Sequence, residues 1–125
     1  MKENLIKDKS FDFAVRIVNL HKFLTTDKKE FTMSCQVLRS GTSIGANISE
    51  ATQAISTADF IAKLSISLKE ASETDFWINL LHRTGYIDDV MYKSLIFDCQ
   101  ELIKMLTSII KTSRNNNKLN NNDDM

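Results

Sequence analysis

Residues 38–51, L-R-S-G-T-S-I-G-A-N-I-S-E-A, constrain the fold of this chain more than any other stretch, because on an α-helix they present three faces of different character. At 100° per residue, the apolar residues in and around this stretch fall on one stripe, which comprises Met33, Val37, Ile44, Ile48, Ala51 and Ile55. Such a stripe is typical of a helix that is buried against its neighbours. The sequence therefore predicts that this helix lines the core.

The second face of the same helix consists mostly of small residues: Ser34, Leu38, Gly41, Thr42, Gly45, Ser49 and Thr52. In a helix interior each glycine costs about 1 kcal/mol relative to alanine, so close packing is expected to compensate for Gly41 and Gly45. We predict that another backbone approaches this face, and we assign both glycines to an interface between subunits.

The third face is a row of polar residues, here called the polar row: Gln36, Arg39, Ser43, Asn47 and Glu50. Arg39 could bind a phosphate, or a carboxylate on another subunit, which would make the row a recognition site. Alternatively, the side chains bond one another at three- and four-residue spacing and cap a neighbouring helix or subunit. We favour this alternative, because polar rows between helices often fix their register.

The chain contains no proline and three glycines in 125 residues, so the residues that usually punctuate sheets and hairpins are almost missing. Its length suits one domain. Together with the helical spacing, this predicts an all-α fold, an antiparallel up-down-up-down four-helix bundle over residues 1–112. The predicted helices cover residues 10–26, 28–55, 57–84 and 88–112. The asparagine-rich segment 113–125 has almost nothing to bury, so we predict that it is disordered.

Short polar side chains indicate where the helices begin. Ser10, Asp27, Ser56 and Asp88 are each placed to accept a hydrogen bond from a free amide of a first helical turn. Gly85 is placed to end the third helix in a left-handed conformation. The core face of the first helix is expected to hold Phe13, Ile17, Leu20 and Leu24, widened by Phe11, Ala14, Val15 and Val18.

The third helix carries a second apolar stripe nearly opposite its first one. This stripe includes Ile66, Trp77 and Leu80, which a monomeric bundle has no obvious way to cover. We therefore assign these residues to a subunit interface and predict a homo-oligomer.

Charge gives little support to a nucleic-acid or membrane partner, since 16 basic and 16 acidic residues sum to zero. Five basic residues could still line an anion-binding surface if a ring repeated them: Lys63, Lys69, Arg83, Lys104 and Lys111. Carboxylates interleave with them, so a solvated face is the favoured interpretation. RNA or DNA binding stays open as the alternative function.

No catalytic or metal-binding constellation is recognisable, so we expect no enzyme activity and no cofactor. Cys35 and Cys99 form no C-x-x-C pair, and neither His21 nor His82 has a cysteine at zinc spacing or a glutamate three residues earlier. The N-terminus lacks the apolar run of a signal peptide, and no apolar stretch is long enough to span a bilayer. We therefore expect a cytoplasmic protein with no membrane partner.

The stretch from Gln36 to Ala51, Q-V-L-R-S-G-T-S-I-G-A-N-I-S-E-A, resembles the signature of the four-helix-bundle proteins encoded in intervening sequences of bacterial 23S ribosomal RNA genes, roughly Q-l-r-R-A-x-x-S-I-x-x-N-I-A-E-G. The matching positions are Gln36, Arg39, Ser43, Ile44, Asn47, Ile48 and Glu50. The run from Ala58 to Trp77 is similar to the third helix of a common branch of that family. Ser40, Ser49 and Ala51 depart from the signature by exchanging one small residue for another, and Leu38 replaces the first arginine of its usual pair.

The resemblance implies a small helical protein that assembles into a ring, which in known relatives is a homopentamer. It also implies a distant relation to the accessory variability determinant of diversity-generating retroelements, which binds nucleic acid and a reverse transcriptase through a basic surface. Our leading hypothesis is a non-enzymatic, oligomeric binding or scaffold protein that binds further copies of itself, with another protein as an open second partner. The alternative is an RNA- or DNA-binding accessory protein.

Overall fold

The computed structural model of the chain describes residues 2–123, which form four α-helices and no strand. The helices are α1 (Lys2–Thr26), α2 (Thr32–Ala51), α3 (Thr57–Arg83) and α4 (Asp89–Asp123). Each helix packs on the next one along the chain, and α4 packs back on α1. The predicted all-α four-helix fold is confirmed.

One apolar face of each helix turns inward, because the buried residues recur at the three- and four-residue spacing of a helix. On α1 the predicted core residues Phe13, Ile17, Leu20 and Leu24 are at most 3% exposed. On α2 the predicted core residues Val37, Ile44, Ile48 and Ala51 are buried in the same way. Ile55 was predicted to join them and is 94% exposed, because α2 ends at Ala51.

Two helices begin at other residues than the sequence predicts. Helix α1 extends back to Lys2, because Ile6 adds an apolar anchor that is 2% exposed. Ser10 is therefore not an N-cap; it is buried in mid-helix, where its hydroxyl donates to the carbonyl oxygen of Lys7 at 3.0 Å. Helix α2 begins at Thr32, after Lys29 has taken a left-handed φ of 55°.

A carboxylate that the sequence analysis did not single out caps α2. Glu30 is 8% exposed, and its side chain accepts hydrogen bonds from the backbone N–H groups of Thr32 and Met33 at 2.9 Å and of Ser34 at 2.7 Å. These are donors that a helix start leaves without an intrahelical partner. A negative charge here also interacts favourably with the helix dipole. Glu30 takes the role that was predicted for Asp27.

The remaining helix ends agree better with the predictions. Ser56 accepts from the N–H of Asp59 at 3.0 Å, Asp88 accepts from the N–H of Met91 at 2.8 Å, and Gly85 has the predicted positive φ of 85°. Helix α4, however, continues to Asp123 instead of ending near residue 112. Residues 113–123, which were predicted to be disordered, are therefore helical. The first turns of this segment line a cavity beside the α2–α3 loop. Residues 124 and 125 lie outside the described residues.

The two glycines of α2 pack closely against α1 of the same chain. A Cβ atom on Gly41 would lie 2.8 Å from two side-chain carbons of Ile17. A Cβ atom on Gly45 would lie 3.2 Å from the backbone oxygen of Ser10. The backbone that approaches these two positions is therefore α1. Gly41 is buried within the chain, so its assignment to a subunit interface is wrong, whereas Gly45 is half-buried and its assignment stays a prediction.

Charged residues close the bundle between α1 and α4. Lys9 pairs with Glu101, and the guanidinium of Arg16 lies 2.6 Å from the carboxylate of Asp98 and 2.8 Å from the hydroxyl of Ser94. The later residue of α1, Arg16, pairs with the earlier residue of α4, Asp98, so these two helices are antiparallel. The glycine contacts between α1 and α2 show the same reversed order, as predicted for adjacent helices.

We expect Gly41→Ala to destabilise the protein by about 1–2 kcal/mol, because overpacking against Ile17 outweighs the gain in helix propensity. Urea unfolding followed by circular dichroism measures the change. Gln36→Ala, at an exposed position of α2 outside this contact, is the matched control and should shift stability by less than about 0.5 kcal/mol. Equal stability of Gly41→Ala and the native chain would show that α1 and α2 are not held this close.

Candidate functional site

The polar row lies along the seam between α2 and α3. The guanidinium of Arg39 is 2.7 Å from the carboxylate of Glu73 and 3.7 Å from that of Glu70, both on α3. The hydroxyl of Ser43 donates to the carbonyl oxygen of Arg39 at 2.6 Å, and the amide of Asn47 donates to that of Ser43 at 2.8 Å.

The two ends of the polar row are more open. The carboxylate of Glu50 lies 3.5 Å from the ammonium of Lys63 on α3, and Gln36 is exposed near the start of α2. Four of the five residues therefore bond within the row or to α3. These contacts satisfy the row without a ligand, and the acidic partners of Arg39 leave it less free to bind an anion.

Buried hydroxyl groups lie beneath the polar row. The hydroxyl of Thr74 is 2.9 Å from that of Ser40, and the hydroxyl of Ser67 donates to the carbonyl oxygen of Ile44 at 2.8 Å. All three hydroxyl-bearing residues are 0% exposed. A shift of α3 along α2 would break both contacts. It would leave the buried hydroxyl of Ser67 without a partner, which is costly, whereas Thr74 would keep its bond to the carbonyl oxygen of Glu70. They therefore fix the register of the two helices, a role that the sequence analysis did not assign.

Three residues of α3 were predicted to lie in a subunit interface, and one of them is clearly exposed to solvent. Ile66 is 44% exposed, whereas Trp77 and Leu80 are half-buried and Trp77 packs against the core. The indole Nε1 of Trp77 has no hydrogen-bond partner within residues 2–123. Its neighbour Phe76 is 57% exposed and meets the Trp77 ring edge-on, with 5.1 Å between ring centroids. The outer face of α3 is thus formed by Ile66 and Phe76.

A second apolar surface lies on α1. Phe11 is 69% exposed, Val15 48% and Val18 37%, and their spacing of four and three residues places them on one stripe. The expectation that these residues widen the core is wrong. The core needs one face of α1, which Phe13, Ile17 and the residues in line with them already fill.

The exposed stripe borders a cavity of about 640 Å³ between α1 and α2, here called the α1–α2 groove. Small residues of α2 form one side of it: Thr42, Gly45, Ala46 and Ser49. The α1 side is formed by Lys7, Asp8, Phe11, Asp12 and Ala14. Because the glycines let α1 approach α2 closely, the groove has a floor of small side chains with Phe11 as one wall.

The five basic residues proposed for anion binding do not form one patch within the chain. Lys63 is paired with Glu50, and Lys104 lines a small cavity together with Asp75. Lys69 and Arg83 are 14 residues apart on α3, about 21 Å at the rise of an α-helix. Lys111 is exposed on α4. Repetition in an assembly would be needed to bring such charges together.

His82 and Cys99 are held by contacts inside the bundle, whereas Cys35 is exposed. His82 lies 2.7 Å from Asp89 and stacks on Tyr92 with 4.0 Å between ring centroids, which ties the end of α3 to the start of α4. Its hydrogen bond and charge lower the pKa of the Asp89 carboxyl.

Cys99 is buried, and burial raises the pKa of its thiol to about 12. A thiol in this environment is not a nucleophile at neutral pH, since the thiolate is the reactive form. Within residues 2–123, no cluster of three or more potential ligands could hold a metal ion. In the same range, no helix is long and apolar enough to cross a membrane.

The family model described as 23S rRNA-intervening sequence protein matches residues 2–108. The chain belongs to this family. The chain is similar to a protein of unknown function from the S23 ribosomal protein family of Bacteroides thetaiotaomicron VPI-5482, whose crystal structure was solved at 1.70 Å. The two sequences are 63% identical, and the two structures superpose with a TM-score of 0.88. The alignment covers 89% of this chain and 99% of that one. No curated protein matches the chain.

Membership of the family confirms the resemblance carried by the polar row. The match spans α1 to α3 and most of α4, so the polar row, the outer face of α3 and the α1–α2 groove all lie on the shared part of the fold.

We expect the Cys99 thiol to stay unreactive until the bundle opens, because it is buried and its pKa is about 12. In a Cys35→Ser variant Cys99 is the one remaining thiol. A chromogenic disulfide reagent at pH 8 should then detect almost no thiol in the native protein and one per chain in denaturant. Prompt reaction of the native variant would contradict the buried position of Cys99.

Proposed function

We propose that this family member is a non-enzymatic binding or scaffold protein that assembles from copies of itself into a ring. The observation that carries the proposal is the exposure of large apolar side chains on two different helices, with Phe11 69% exposed on α1 and Phe76 57% exposed on α3. Exposed apolar patches mark interaction sites in soluble proteins. Neither surface has a role in the core of the chain.

A ring is favoured over a symmetric dimer because the two apolar surfaces differ. A two-fold dimer uses the same surface on both subunits, whereas a ring uses two different surfaces on each subunit. Helices α1 and α3 do not pack on each other in the described part of the chain. The family resemblance suggests five subunits, and the proposed distant relation to the retroelement accessory protein is consistent with a ring.

The environments of the reactive side chains support a non-enzymatic role. Cys99 is buried, His82 is engaged with Asp89, and the ring Nδ1 of His21 lies 3.2 Å from the carbonyl oxygen of Ser34. None of these contacts joins a histidine to a serine or cysteine side chain, which nucleophilic catalysis would require.

Nucleic-acid binding is the alternative function, and the charges of one chain support it less well. Phosphate contacts need accessible lysine or arginine side chains in a row. Here Arg16, Arg39 and Lys63 are each paired with a carboxylate. The net charge of zero gives no attraction at long range.

Sedimentation equilibrium at micromolar concentration should give a native mass several times the 14.3 kDa of one chain. Phe11→Asp should lower this mass while the helical circular dichroism stays unchanged, because the side chain is exposed and has no role in the core. Ile55→Asp, at a 94% exposed loop position, is the control and should keep the native mass. A native mass of one chain would overturn the ring.

A titration of labelled RNA hairpin and duplex DNA tests the alternative. We expect no binding at ~50 mM salt, where phosphate contacts are strongest. Micromolar affinity that falls linearly with the logarithm of the salt concentration would instead favour the accessory-protein function. The slope would then estimate the number of phosphate contacts.

A further inference from the structure

We propose that the α1–α2 groove of one copy receives the outer face of α3 from the next copy. This inference rests on the proposed assembly and specifies its interface. Each chain would then offer a groove to one neighbour and a helix face to the other. The interface is thus directional, running from the α3 face of one chain to the groove of another.

The shape of the groove suits a helix. Gly45, Ala46 and Ser49 line it without large side chains, so a second helix can come close. The groove continues into the exposed stripe of α1, and from Lys7 to Val18 the combined surface extends for about 17 Å. Packing of helix ridges into such grooves is the usual way in which helices associate.

The outer face of α3 has matching dimensions. Ile66 and Phe76 are ten residues apart, which is about 15 Å along the helix. The groove volume of about 640 Å³ leaves space for the Phe76 ring and its neighbours. Ile66 would then lie against the apolar stripe of α1. The large Phe76 ring would meet the small side chains of α2 that form the groove floor.

Charge favours the pairing of unlike surfaces. Asp8 and Asp12 lie on the α1 side of the groove, accompanied by Lys7. The face of α3 carries exposed Lys69 and Arg83, which have no ion-pair partner among the described residues. Glu73 lies on the same face, and its charge is balanced by Arg39 at 2.7 Å. A groove facing a groove would bring aspartates together, and an α3 face on its copy would bring cations together. Like charges in juxtaposition disfavour both symmetric pairings.

The positions of the two surfaces allow a chain of contacts. Helices α1 and α3 lie diagonally across the bundle, since each packs on α2 and α4 but not on the other. Their outer faces therefore point away from each other. One subunit can use both surfaces at the same time, as a ring with head-to-tail contacts requires.

Two variants block the two surfaces separately. Ala46→Glu places a charge in the groove, and Phe76→Glu places one on the α3 face; both positions are exposed, so folding should be preserved. Each variant alone should sediment as one chain. An equimolar mixture should form a species of two chains and no larger one, because one intact groove and one intact α3 face remain. Val90→Glu, at a 78% exposed position on α4, should keep the native mass.

The outcomes separate this inference from the proposed function. A native protein of one chain would overturn both. An oligomeric native protein whose mass is unchanged by Ala46→Glu or by Phe76→Glu would overturn the interface and leave the assembly standing. Two monomeric variants that fail to combine would also overturn the pairing. Should circular dichroism show that either variant is unfolded, Ala46→Gln and Phe76→Ser replace the pair with the same expectations.

Discussion

The close approach of α1 and α2 at Gly41 is the constraint on which the rest of the structure depends. With no side chain at this position, Ile17 lies directly over the α2 backbone, and a Cβ atom would come within 2.8 Å of it. The contact turns one face of α1 into the core and leaves Phe11 on the outside. One turn further along α2, Gly45 also lets α1 come close, and it lines the floor of the α1–α2 groove. The packing that stabilises the bundle thus produces the surface that we assign to a neighbouring copy.

Much of the fold could be predicted from the sequence, because helical periodicity and missing proline are local signals. Core residues such as Ile17 and Ile44, and the cap at Ser56, depend on such signals. The errors arise where contacts between helices determine which residues are buried. Spacing shows that Phe11 lies on an apolar side of α1, but not that the core is already filled by its neighbours. Glycine spacing likewise predicts close packing at Gly41 without saying which helix approaches.

The candidate sites were predictable to a smaller extent. The polar row follows from spacing on one helix, whereas the carboxylate that binds Arg39 comes from α3, 34 residues later. The buried hydroxyl of Thr74 has no sequence pattern that separates it from an exposed threonine. Family membership supports the four-helix fold, but a shared fold does not determine what a protein binds. What this chain binds is therefore inferred from the surfaces that the fold leaves exposed.

The most direct test of the account is a photo-cross-link from the outer face of α3. Benzoylphenylalanine placed at position 76 of the otherwise native chain would be irradiated in the assembled protein, and the cross-linked peptides would be mapped by mass spectrometry. The account predicts links to the α1–α2 groove of another copy, near Phe11 and Ala46. Links from position 76 to the α3 face of another copy, or to α4, would contradict it.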